Sequence, residues 1–173
     1  MPSLARRIHD RAHLTGEFRL RSGAVSDEYF DKYRFEADPE LLREVAEGLV
    51  GLLPEGIDAL AGLELGGIPL ATAASLASGL PARFVRKAAK DYGTANRLEG
   101  SPAEPGECVC LVEDVVTSGG AAIDAVEALR EAGLRVSNAV CVVDREEGGA
   151  ANLAAAGLEL RTLFTMSELR AAA

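Results

Sequence analysis

Residues 111–122 read LVEDVVTSGGAA. An apolar run stops at two adjacent acids, Glu113 and Asp114, and Thr117, Ser118, Gly119, Gly120 and Ala121 follow. The second half is built like an anion cradle. Glycines let main-chain amides close on a phosphate, hydroxyls add donors, and a following helix presents unsatisfied N–H groups. Carboxylates repel phosphate, so the acids need a different partner. They accept hydrogen bonds from vicinal hydroxyls and can help place Mg²⁺. A ribose 5-phosphate satisfies both halves, with its diol at Glu113 and Asp114 and its phosphate on residues 117–121. No lysine follows the glycines, which sets the stretch apart from a nucleotide P-loop. The bland alternative is a solvated strand end followed by an ordinary turn.

Elements must hold these residues in place. Residues 3–13 read as a short helix and 17–36 as two short strands around a turn. Pro39 opens a helix that runs to about residue 53. Strands are expected at 57–65, 81–86, 108–114, 134–144 and 158–165. Helices are expected at 68–79, 119–132, 151–157 and 166–173, the last with Ser167 as its cap. Residues 87 to about 106 read as a long polar loop. Strands alternating with helices imply an α/β fold with a mainly parallel central sheet flanked by helices. The near-continuous apolar strands suit a sheet covered on both faces. Ligands in such sheets bind at the carboxyl ends of the strands, which selects residues 64–68, 87–106, 113–121 and 144–149.

Composition sets the bounds. A chain of 173 residues favours one domain. A formal net charge of -9 argues against general nucleic-acid binding. The charged N-terminal stretch MPSLARRIHDRAHL has no signal-peptide core, so a cytoplasmic protein is expected. Cys108, Cys110 and Cys141 are odd in number and lie in apolar runs, which speaks against a disulfide framework. Cys108 and Cys110 alternate along one strand and are expected to share one side of the core. His9 and His13, spaced i, i+4, suit a helix surface or a dimer contact better than a metal site, since no third ligand is in view.

Residues 83–97, RFVRKAAKDYGTANR, form an island of positive charge in this acidic chain. Arg83, Arg86, Lys87, Lys90 and Arg97 are set against the single acid Asp91. A charge run is usually a solvated face, but a loop this long in a small domain is more often functional.

The order of residues in LVEDVVTSGG resembles the phosphoribosyl pyrophosphate (PRPP) motif of the type I phosphoribosyltransferases. RKAAKDYG and the RLEG after it resemble the RKxxKxHG catalytic loop of the orotate phosphoribosyltransferases. FRLRSG with SDEYF, GLELGGIPLAT and VVDREEGG are similar, in the same order, to that family's N-terminal, pyrophosphate-loop and strand-end segments. Together these matches span about residues 17–149. The resemblance implies a small N-terminal hood, residues 1–36, on an α/β core, residues 37–173. It also implies transfer of a phosphoribosyl group from PRPP to orotate, with Mg²⁺ held mainly by PRPP and in part by Glu113 and Asp114.

Roles follow where residues match. Lys90 takes the place of the loop lysine on which catalysis depends. Arg86 and Lys87 match the basic pair that binds pyrophosphate, and Leu65 and Gly66 belong to the pyrophosphate loop. Arg21 lies in the PRPP-binding hood segment, and residues 113–121 form the ribose-phosphate segment. Arg145 matches the arginine that holds the orotate carboxylate, for which a planar guanidinium is suited. Tyr29, Phe30 and Thr117 complete the orotate set. The family forms homodimers in which the loop, here residues 87–100, reaches the neighbouring site. A mobile cationic loop there would neutralise the departing pyrophosphate and exclude water.

Three positions depart from the family pattern. Tyr92 replaces the loop histidine and carries no charge at neutral pH. Gly66 stands where many members have a lysine, and Arg21 where lysine is usual. Gly66 thus removes one cation, whereas Arg21 keeps the charge and changes its geometry; a somewhat weaker grip on pyrophosphate is expected, with Mg²⁺ compensating. A phosphoribosyltransferase for a purine is disfavoured by Arg145, since purines have no carboxylate. A non-catalytic PRPP sensor is disfavoured by the retained catalytic loop and the acidic charge.

Overall fold

Both faces of the longest strands are buried, as their unbroken apolar runs require. The computed structural model describes residues 2–19, 23–88 and 97–173. Its first element is helix α1, Leu4–Ala12, whose N-cap Ser3 accepts the Arg6 N–H. Strands β1, His13–Arg19, and β2, Val25–Phe30, pair antiparallel as a separate two-stranded sheet. One helical turn, α2, Tyr33–Glu36, leads into α3, Pro39–Leu52. There Asp38 caps the Glu40 and Leu41 amides and Pro39 occupies the first turn, where no N–H is missed.

The core then alternates. β3 spans Ala59–Leu63, α4 Gly67–Ser78, β4 Ala82–Val85, β5 Leu98–Gly100 and β6 Cys108–Val116. α5 spans Gly120–Glu131, β7 Arg135–Asp144, α6 Gly149–Ala155, β8 Glu159–Thr165 and α7 Met166–Ala171. These strands form one sheet in the order β5-β4-β3-β6-β7-β8, parallel except for β5. The chain leaves β3 toward one edge and β6 toward the other. Their shared carboxyl end is therefore the switch point at which a crevice must open.

Two apolar layers flank the sheet, and β6 shows the period-2 logic. Cys110 and Val112 pack into the layer that also holds Phe35, Leu41, Val45, Leu49 and Leu169. Val109 and Leu111 face the other, with Ala125, Val126, Leu129 and Leu153. Each fully buried Leu or Val contributes about 1.5–3 kcal/mol relative to exposure. No helix among the described residues is long and apolar enough to cross a membrane.

Several sequence expectations needed correction. The first strand begins at His13, where β1 directly follows α1, and residues 33–36 form a helical turn instead of strand. The long loop contains β5, a three-residue edge strand on β4. Thr165, not Ser167, caps α7. It forms a capping box with Glu168, while Ser167 donates to Glu146. Cys110 is buried, but a register shift between Cys108 and Cys110 leaves Cys108 half-exposed.

Candidate active site

Loops at the carboxyl ends of β3, β4, β6 and β7 lie side by side. The β6 loop holds Thr117 and Ser118, both exposed, ahead of α5. Gly119 adopts φ +81°, and a Cβ there would sit 3.2 Å from both Gly149 O and Leu153 Cγ. Only glycine fits on either count. The Asn152 side chain donates to Ser118 O at 2.9 Å, so α6 shapes this loop. α5 opens at Gly120 with no side chain capping it and no acid in its first turn. Its first amides, around Gly120 and Ala121, are left for an anion.

The acid pair lies inside β6, not after it. Asp114 is 1% exposed and Glu113 8%. Asp114 Oδ1 accepts the Val115 N–H at 2.5 Å. Lys32, at the start of α2, places Nζ 2.5 Å from Asp114 Oδ2. This is an ion pair by distance, although its angle departs from that of a hydrogen bond. Glu36, on α2, is buried beside Asp114 with both carboxylate oxygens short of donors. Burial first and the Asp114 charge second push its carboxyl up to about 8. The same two causes raise Glu113. Burial would lower Lys32, but the Asp114 carboxylate outweighs it and the ammonium is held above its ordinary value.

Gly66 lies against the same carboxylate, and a Cβ at that position would run into Asp114 Oδ2. Next to it, Leu65 is exposed and follows a cis peptide bond. The Glu64 carboxylate accepts the Lys87 N–H at 3.0 Å, joining the β3 loop to the root of the cationic loop. Arg86 is half-buried and Lys87 exposed. The loop's two ends are clamped together. Arg86 N–H donates to Arg97 O at 2.8 Å, Arg97 Nε donates back to Arg86 O at 3.1 Å, and Arg97 pairs with Asp124 of α5 at 2.6 Å. Lys90, Tyr92 and Arg21 lie outside the described residues.

A cavity of about 580 Å³ opens between β2 and the ends of β6 and β7. Tyr29, Phe30, Thr117, Ser118 and Arg145 line it, so the predicted orotate set converges on one cavity. Arg145 is held by Glu147 at 3.0 Å. His9, His13, Glu28 and Arg170 also line the cavity, and sequence reasoning gave none of them to a ligand. The two histidine rings stack at 4.7 Å and face this cavity, where a helix surface or dimer contact was expected. Glu28 bridges His13 Nε2 at 3.0 Å and Arg170 at 2.8 Å. These two partners, His13 first, hold its carboxyl below the ordinary value. The i, i+4 histidine spacing was a usable signal; nothing local marks Arg170 or Lys32.

A family model, the phosphoribosyl transferase domain, matches residues 34–156. The orotate phosphoribosyltransferase of a Nocardioides species is 54% identical over 170 residues, covering 98% of this chain and 94% of that protein. That of Halobacterium salinarum is 50% identical over 154 residues, covering 89% and 87%. The chain belongs to the orotate phosphoribosyltransferase family. Among solved structures, the Mycobacterium tuberculosis orotate phosphoribosyltransferase in complex with PRPP matches with a TM-score of 0.83 at 29% identity, covering 96% of both chains. The same enzyme with Fe(III) dicitrate matches at 0.87 and 32%, again over 96% of both. An adenine phosphoribosyltransferase, at 22% identity and a TM-score of 0.71, shares the fold. The family match takes in the loops after β3, β4, β6 and β7. It leaves out α1, β1, β2 and α7, which supply the far wall of the cavity. The cavity is thus lined partly by loops inside the matched stretch and partly by elements from the two ends of the chain.

Proposed function

We infer that the enzyme transfers the 5-phosphoribosyl group from PRPP to orotate, giving orotidine 5′-monophosphate and pyrophosphate, in pyrimidine biosynthesis. The observation that carries this is the shared cavity wall. It sets Arg145, a match for a carboxylate, beside Thr117 and Ser118 of the phosphate loop. With the phosphate on residues 117–121 and the base between Tyr29, Phe30 and Arg145, the ribose lies between two fixed ends. Orotate N1 forms a bond to C1 as the C1–O bond to pyrophosphate breaks; pyrophosphate leaves with the electron pair, and the N1 proton passes to solvent. Positive charge develops on the ribose while negative charge builds on the leaving group, so positioning and electrostatics supply most of the rate. Lys87 and the half-buried Arg86 begin the loop that would receive the pyrophosphate.

The reading includes Mg²⁺ arriving on PRPP. Of the acids that would share the ion, Asp114 is engaged by Lys32 and burial disfavours the charged form of Glu113, so PRPP would supply most of its ligands. It also includes a homodimer in which residues 87–100 reach the neighbouring site, supported by the resemblance of that loop. A cytoplasmic setting is supported by three free thiols, which suit a reducing compartment.

The test is loss of orotate absorbance with protein, Mg²⁺ and PRPP. PRPP binding without turnover would replace this reading with a sensor, and turnover on adenine or guanine with a purine enzyme. Lys90→Ala should lower turnover by about 10²-fold or more, as expected for a lost transition-state contact, with the melting temperature unchanged. A mild effect would remove Lys90 from its central role.

A further inference from the structure

Asp114 is confined on every side the structure describes. Its Oδ1 accepts an amide of its own strand, and the Gly66 backbone blocks one face so closely that a methyl group would not fit. Lys32 meets Oδ2 from the hood. Two further carboxyl groups, Glu36 and Glu113, are buried in the same place. The Lys32 ammonium is therefore the counter-charge that pairs with Asp114, while burial favours the neutral forms of Glu36 and Glu113. Its side chain is 32% exposed, whereas that of Asp114 is 2% exposed, so the lysine reaches from the solvent side into the closed one. Its Nζ also lies 5.4 Å from the centre of the Tyr33 ring, which fixes its approach.

We propose that Lys32 is a positioning residue of the ribose subsite, holding the Asp114 carboxylate in place for the ribose diol. The proposal rests on the phosphoribosyl-transfer reading and deepens it. An uncompensated buried carboxylate is costly. Without the ammonium, the Asp114 side chain turns from its place or draws water onto Oδ2. Either change alters the acceptors that meet the two hydroxyls, while the base cavity around Arg145 stays as it was. A purely structural strap between hood and core would behave differently, loosening both substrates together as the hood detached.

The experiment compares the unaltered enzyme with Lys32→Met, which keeps the length and removes the charge, and with Lys32→Arg. Steady-state constants for PRPP and orotate are measured together with melting temperatures. Lys32→Met should lower kcat/KM for PRPP by about 10–100-fold, the scale of a lost buried charge pair. KM for orotate should move by less than about threefold, and Lys32→Arg should recover most of the loss. Asp114→Asn should be as damaged as the double variant Lys32→Met/Asp114→Asn, because the lysine acts through the carboxylate. PRPP constants unchanged in Lys32→Met overturn the proposal. So does an equal loss for both substrates with a lowered melting temperature, and so do effects that add in the double variant. No turnover in the unaltered enzyme overturns the phosphoribosyl-transfer reading, and the proposal with it, and is distinct from a defect confined to the variants.

Discussion

Single residues show most clearly where chemistry and folding compete. Gly66 leaves the β3 loop no room for a side chain, since any Cβ there would strike Asp114. The cation beside that carboxylate is Lys32, 82 residues earlier in the chain. Glu36 carries a measurable cost of the same crowding. Burial and the Asp114 charge hold its carboxyl at about 8, against an ordinary 4.5, with Lys32 partly opposing and Asp31 adding to the rise. Between those values the folded protein keeps a proton that the unfolded chain releases, so stability falls as pH rises through that window. Glu36→Gln keeps the shape and removes the titration. Its melting temperature should draw ahead of the parent's between about pH 5 and about pH 8, by several degrees at the upper end. Parallel melting curves for the two proteins would show that Glu36 has an ordinary carboxyl.

Elements were legible to the degree that local pattern decides them. β6 with its acids, the turn at 117–119 and α5 could be read because strand, loop and helix start follow one another without interruption. Residues 33–36 were misread because Tyr and Phe favour strands in isolation, whereas here Phe35 is drawn into the core and its turn closes as α2. β5 escaped notice because three residues carry no periodicity, and only pairing with β4 defines it. The pair that roots the cationic loop, Arg97 and Asp124, joins a loop to the outside of α5, and its aspartate is 58% exposed. Such a pair contributes at most about 1 kcal/mol to stability, yet it sets where the loop starts. Asp124→Ala is therefore expected to melt within about 3 °C of the parent while kcat/KM for PRPP falls several-fold. Unchanged kinetics would mean that the two Arg86–Arg97 hydrogen bonds hold the root alone.

At the scale of the whole molecule, the site combines one half that is local in sequence with another that is not. The loops after β3 and β6 belong to consecutive strand-loop-helix units, so their place at the strand ends followed from order alone. The cavity brings together α1, β2, the end of β7 and α7. Its Glu28–Arg170 pair spans 142 positions, a separation at which no spacing rule operates. The central strands also hold Cys110 and Cys141, both buried, with burial pushing each thiol up to about 12. Cys141 lies directly opposite Glu113 in the register of β6 and β7, while Cys108, at the start of β6, is half-exposed. An alkylating reagent should therefore label Cys108 first and reach the other two only when the strand pair opens, with PRPP delaying that second phase by mass action. Simultaneous labelling of all three would show that the pair does not open as a unit. The strands that present the acids thus carry their own chemical clock, in which the time course of alkylation at native cysteines reports how often the floor of the site comes apart.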